Sequence, residues 1–147
     1  MKHIKIVLAL VLFMGLVSCT KTEVSFDENN LYGYWQEDGK DDYLRFLKAE
    51  EDTIDGEYKF GYEWDESEDV QESDVVKNRH GNGWFKWKLI QSTLTQLHLT
   101  NISEATVPKL YTVKKLTDSE LQLQDKDNKD DIEYFHKVVR TNTEIVK

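Results

Sequence analysis

Residues 54–64 alternate with a period of two, and this pattern restricts the fold more than any other feature of the chain. The even positions from Ile54 to Trp64 are aromatic, aliphatic or glycine, whereas the odd positions are charged or glycine. Side chains of a β-strand point to opposite faces in turn, but a helix would spread these aromatic residues around its circumference. We therefore predict a strand with one buried and one solvated face, as in an antiparallel sheet.

Seven other segments show the same alternation less completely. They span residues 32–38, 42–48, 83–91, 94–100, 107–115, 120–124 and 132–139. Turn dipeptides such as Asp38-Gly39 and Asn82-Gly83 separate some of them. Because no segment after residue 18 has helical periodicity, neighbouring strands are expected to pair antiparallel. We predict an all-β domain, an antiparallel meander of about eight strands that closes into a β-barrel, with a two-sheet β-sandwich as the alternative.

The N-terminus has the pattern of a secretory leader. Lys2 and Lys5 precede an unbroken apolar run at residues 6–17. As a helix this run would be about 18 Å long, too short for a hydrocarbon core of about 30 Å. A short apolar run behind a basic start instead indicates a signal peptide.

The leader ends in Leu16-Val17-Ser18-Cys19, which resembles the bacterial lipobox. The resemblance implies cleavage before Cys19, thioether lipidation of its sulfur and acylation of the new N-terminus. Cys19 is the only cysteine in the chain, and an unmodified single cysteine would be a reactive orphan in a secreted protein. We expect the acyl chains to hold the protein on a membrane.

These features divide the chain into a signal peptide (1–18), a lipidated cysteine with its tether (19–30), a barrel domain (31–140) and a C-terminal tail (141–147). Loss of Lys2 and Lys5 with the leader lowers the basic residues from 19 to 17 against 28 acidic ones, a net charge of −11. Such a surface repels nucleic acid and anionic headgroups. The expected contact with the membrane is therefore the lipid alone.

Two parts of the domain are similar to known families. Leu31-Tyr32-Gly33-Tyr34-Trp35 resembles the opening Gly-x-Trp motif of lipocalins, whose tryptophan plugs one end of the barrel. Residues 113–123, Asp125 and residues 134–138 resemble the C-terminal half of lipocalin-like lipoproteins of gut Bacteroidetes. The resemblance implies a barrel that encloses a ligand cavity, and an outer-membrane anchor with the domain on the periplasmic face or the cell surface.

No catalytic or metal-binding arrangement stands out. His80, His98 and His136 lie on different segments without metal-ligand spacing, and the acidic loop 125–131 departs from the EF-hand pattern. The acidic segment 65–77 is expected to be a solvated loop or a short frayed helix. We predict no enzymatic activity, no metal and no cofactor.

Aromatic residues are the most informative candidates for a binding site. Those expected to face the interior are Trp35, Tyr58, Phe60, Tyr62, Phe85, Trp87 and Tyr111. In a small barrel such side chains either fill the interior or line a cavity open at one mouth, and short strands favour a filled or narrowly open interior. Two functions correspond to these alternatives: an envelope lipoprotein that binds a small apolar ligand, or a filled barrel that contacts another protein of the envelope.

Overall fold

The computed structural model of the protein describes residues 22–101, 105–143 and 145, so the leader and Cys19 lie outside the described part. Each strand pairs antiparallel with the next along the chain, and the last pairs with the first, which closes the barrel. The predicted eight-stranded antiparallel meander barrel is confirmed, and the β-sandwich alternative is wrong. The strands are β1 (Gly33–Glu37), β2 (Asp42–Phe46), β3 (Lys59–Asp65), β4 (Trp84–Ile90), β5 (Thr93–Leu99), β6 (Thr106–Leu116), β7 (Glu120–Asp125) and β8 (Ile132–Val138).

The two ends of the barrel differ. Residues 22–31 lie at one end, where the backbone N–H of Phe26 donates to the carbonyl oxygen of Gln91 and Lys59 Nζ lies 2.6 Å from Glu28 Oε1. We call this the closed end. The β1–β2, β3–β4, β5–β6 and β7–β8 connections surround the opposite end, which we call the mouth.

Large apolar side chains fill the half of the interior next to the closed end. Trp35, Phe85 and Trp87 are fully buried there, so their predicted inward orientation is confirmed. Each indole N–H has a partner, because Trp35 Nε1 donates to the Leu31 oxygen (2.8 Å) and Trp87 Nε1 to the Phe60 oxygen (2.9 Å). This half of the barrel is a packed core with its polar groups satisfied.

Strand β3 turns its aromatic side outward, the reverse of the prediction. Residues directly opposite each other in an antiparallel pair share a face of the sheet. Glu63 is opposite the inward-facing Leu44, whereas Tyr62 is opposite Trp84 on the outer face. By alternation Phe60 also lies outside, so the predicted inward orientation of Phe60 and Tyr62 is wrong.

The reason lies at Gly61, which occupies the inner side of β3. A Cβ atom added there would lie 2.5 Å from the Phe85 ring and 2.6 Å from the backbone oxygen of Arg45. At this level the interior is therefore already filled by the Phe85 side chain of β4. Only a residue without a side chain fits, and the aromatic face must point the other way.

The first part of the predicted strand 54–64 is a turn. Asp55 and Tyr58 exchange two backbone hydrogen bonds (2.9 and 3.0 Å), and Gly56 between them has a φ of 63°. Strand β3 consequently begins at Lys59. Tyr58 lies half-buried outside the barrel with the Lys88 ammonium 4.8 Å from its ring centre, so its predicted place in the interior is wrong.

A helix in the β3–β4 connection covers the outer aromatic face. This helix, α1 (Glu72–Lys77), packs Val75 and Val76 against it. Glu72 accepts hydrogen bonds from the hydroxyls of Tyr34 (2.8 Å) and Tyr62 (2.7 Å). Residues 72–77 of the acidic segment thus form a short helix held by packing and buried hydrogen bonds, which agrees with the short-helix alternative rather than with a solvated loop. Within the described residues, no helix has the length and apolarity needed to cross a membrane.

Candidate ligand cavity

The half of the interior next to the mouth is a cavity of about 460 Å³. Cavities of this size accommodate small organic molecules. Its polar lining includes Glu37, Asp42, Glu63, Asp65, Glu68, Gln96, Lys109 and Glu133. Its apolar lining includes Leu44, Tyr111, Leu123 and Phe135 of the inner face, and it is also bordered by Tyr43, Trp64, Val70 and Val75 of the cluster on the outer face.

Strand register brings carboxylates and apolar side chains together on the inner face. Glu37 on β1 is opposite Phe135 on β8, and Glu133 on β8 is opposite Leu123 on β7. Because directly opposite residues share a face, each of these carboxylates stands beside an apolar side chain. The cavity is therefore amphipathic, with a charged rim and apolar walls.

Acidic groups outnumber basic groups around the cavity. Lys109 is the one basic side chain among the described lining residues, and its Nζ lies 3.9 Å from Glu63 Oε1. Exposed Lys40 forms an ion pair with Glu37 (2.6 Å). Burial, together with the neighbouring charges of Asp65 and Glu37, raises the pKa of Asp42. The cavity therefore holds more carboxylates than the nearby lysines can neutralise.

Glu133 is the carboxylate most affected by this crowding. It forms no ion pair within the part of the chain that the structure describes. Burial raises its pKa to about 7, with further contributions from Glu37 and Asp131 that Lys109 only partly offsets. A positive charge placed in the cavity would favour the ionised form of Glu133.

A chain of polar groups runs along the cavity wall. His98 Nε2 and Gln96 Oε1 lie 2.8 Å apart, and His98 Nδ1 lies 3.2 Å from Glu63 Oε1. Although burial opposes it, the hydrogen bond from His98 holds the pKa of Glu63 below its usual value. Gln96 is 2% exposed, and its Nε2 has no hydrogen-bond partner among the described residues. The wall therefore presents one unused buried donor.

The cavity is not lined by the residues predicted from the sequence. Of the seven aromatic candidates only Tyr111, which is 6% exposed, is among its lining residues. The inward-facing Trp35, Phe85 and Trp87 belong to the packed core of the closed half. Cys19, the predicted lipidation site, lies outside the described residues.

Sequence reasoning missed the carboxylates and Gln96 because alternation alone assigns the polar residues of a strand to its solvent-facing side. Strand β5 illustrates the error: its buried residues are Leu94, Gln96 and His98, whereas Leu97 and Leu99 on the other face are only partly buried. The available signal was that the neutral Gln96 has the same parity as Leu94.

Fold and cavity together define the class: a small up-and-down β-barrel of lipocalin-like architecture, packed at one end and hollow and acidic at the other. Comparison of the chain with protein-family models, curated proteins and solved structures found no match.

Proposed function

We propose that this protein is an envelope lipoprotein, anchored through Cys19, whose barrel binds a small organic ligand in the mouth cavity. The function proposed is binding rather than catalysis. The observation that carries the proposal is the cavity itself, in which apolar walls from Leu44, Leu123 and Phe135 meet an unused buried donor on Gln96. Concave sites that combine apolar walls with polar groups able to orient a molecule are typical of ligand binding.

The packing of the tether supports an arrangement in which the ligand enters from the side away from the membrane. Residues 22–31 contact the barrel at its closed end, where the backbone N–H of Phe26 donates to the Gln91 oxygen (3.3 Å) and Lys59 Nζ lies 2.6 Å from Glu28 Oε1. An anchor at Cys19 therefore attaches at the end opposite the mouth. The resemblance to Bacteroidetes lipoproteins and the lipobox support an outer-membrane location.

The anchor is tested by Cys19→Ala. We expect the substitution to abolish incorporation of a fatty-acid analogue and to move the protein from the membrane fraction to the soluble or unprocessed fraction. Ser18→Ala keeps a small residue before the cysteine and serves as the control, which should be labelled like the wild type. Equal labelling of the Cys19 variant would refute the lipoprotein assignment.

Ligand binding is tested by native mass spectrometry of the protein purified from its own host. We expect a retained small molecule in the wild type that is lost in Leu44→Trp, because the larger ring fills the cavity that Leu44 lines. Leu110→Trp introduces the same side chain at a residue that is 41% exposed and does not line the cavity, and should keep the molecule. A wild-type protein that never carries additional mass, with both variants folded, would contradict the proposal and favour the filled-barrel alternative that contacts an envelope protein.

A further inference from the structure

The charge distribution in the mouth cavity restricts what it can hold. Among the described residues that line it, six carry carboxylates and one is a lysine. Within a space partly shielded from water, their field is focused and attracts cations more strongly than an exposed acidic surface would. The same field would repel an anionic ligand, and a neutral ligand would leave the negative charge of the carboxylates uncompensated.

A buried amide in the cavity wall adds a second, independent requirement. Gln96 is 2% exposed, and its Nε2 has no partner among residues 22–101, 105–143 and 145. A buried amide N–H without a partner is costly, and an acceptor supplied by a ligand removes that cost. Because Glu63 and Glu133 also line the cavity, a neutral acceptor such as a carbonyl, ether or hydroxyl oxygen suits this position better than a carboxylate.

The spacing of the carboxylates favours a molecule over a bare metal ion. No three His, Cys, Asp or Glu side chains in the described part of the chain converge closely enough to hold one metal ion. A hard cation such as Ca²⁺ needs six to eight oxygen ligands around one point. Carboxylates distributed around about 460 Å³ with apolar walls instead match a cation that carries a hydrocarbon body.

We infer that the ligand of the mouth cavity is an organic cation: a protonated amine or guanidinium attached to an apolar body, with a neutral acceptor oxygen for Gln96. The charged nitrogen lies among Glu37, Glu63 and Glu133, and the body lies against Leu44, Leu123 and Phe135. This inference rests on the proposed function, since it names the chemistry of the same cavity.

The test compares three probes with one body and different heads: 4-phenylbutylamine, 4-phenylbutanol and 4-phenylbutyrate. They are titrated calorimetrically into the acylated mature protein in non-ionic detergent at pH 8 and moderate salt. We expect the amine to bind at least about tenfold more tightly than the alcohol, as a charge-assisted contact does, and the carboxylate to bind more weakly than either.

Variants assign the preference to the cavity. Glu133→Gln should weaken the amine about tenfold and leave the alcohol unchanged, whereas Glu57→Gln, at a side chain 83% exposed near the closed end, should change neither. Leu44→Trp should abolish binding of the amine. Amine binding that persists in Leu44→Trp is binding to the acidic surface and overturns the inference.

The remaining outcomes separate this inference from the proposed function. Alcohol or carboxylate binding equal to that of the amine, and lost in Leu44→Trp, overturns the cation preference while the binding function stands. No binding of any probe overturns the inference as well. In that case native mass spectrometry decides the function: a retained molecule keeps it, and its absence refutes it.

Discussion

Glu133→Gln should stabilise the protein at alkaline pH, at the cost of the binding proposed above. The pKa of Glu133 is about 7 in the folded protein against an ordinary value of 4.5, because of burial and the charges of Glu37 and Asp131. At about 1.36 kcal/mol per pKa unit, the full difference corresponds to about 3.4 kcal/mol. The side chain is partly open to water at the mouth, and solvent screening reduces the expected effect to about 1–2 kcal/mol.

The sign follows from proton linkage. The folded protein holds the Glu133 proton more tightly than the unfolded chain, so this stability is fully present below about pH 4.5 and is lost as pH rises through about 7. Glutamine does not titrate and avoids the loss. The variant should therefore unfold at a higher urea concentration than the wild type at pH 8, and at nearly the same concentration at pH 5.

Urea unfolding followed by tryptophan fluorescence measures this difference, with Glu57→Gln as the exposed control. The control should match the wild type at both pH values. A gain in Glu133→Gln of the same size at pH 5 and pH 8 would show that the effect is not the removal of a titrating charge. A loss of stability at pH 8 would refute the argument that the cavity disfavours the ionised carboxylate.

Three further substitutions test packing on the two faces of the sheet. Gly61→Ala should lower the free energy of unfolding by about 1–3 kcal/mol, because the new methyl group would overlap the Phe85 ring and a backbone oxygen. An unchanged urea midpoint would mean that the interior has room at this level. Trp87→Ala should cost about 3–5 kcal/mol, since it removes a fully buried ring and its hydrogen bond to a backbone oxygen. If calorimetry shows that Trp87→Ala lowers the free energy of unfolding by much less than this, the closed half is loosely packed. Val76→Asp should lower the melting temperature by several degrees, because it places a carboxylate beneath α1, whereas Ser73→Asp on the exposed side of the same helix should change stability by under about 0.5 kcal/mol. Equal effects of these two variants would contradict the covering role of the helix.

The sequence by itself was sufficient to predict the strands and their order. Strand formation and hairpin closure depend on residues a few positions apart, and period-two alternation with turn dipeptides records both. The eight strands and their antiparallel meander were predictable for this reason. The turn at residues 55–58 was missed because Gly56 continued the alternation that it in fact interrupts.

Only the tertiary structure decided which face of each strand is enclosed. Alternation defines two faces, but burial depends on what lies opposite each of them. The Phe85 ring fills the interior at Gly61, and α1 covers Tyr62 on the outside, so the aromatic face of β3 is buried without entering the barrel.

The cavity also depends on pairing between distant parts of the chain. Glu37 and Glu133 lie on strands that become neighbours only when β8 pairs with β1 and closes the barrel. A carboxylate on a polar strand face looks solvated in the sequence, because the charges, apolar walls and lost water that change its pKa come from strands far away along the chain.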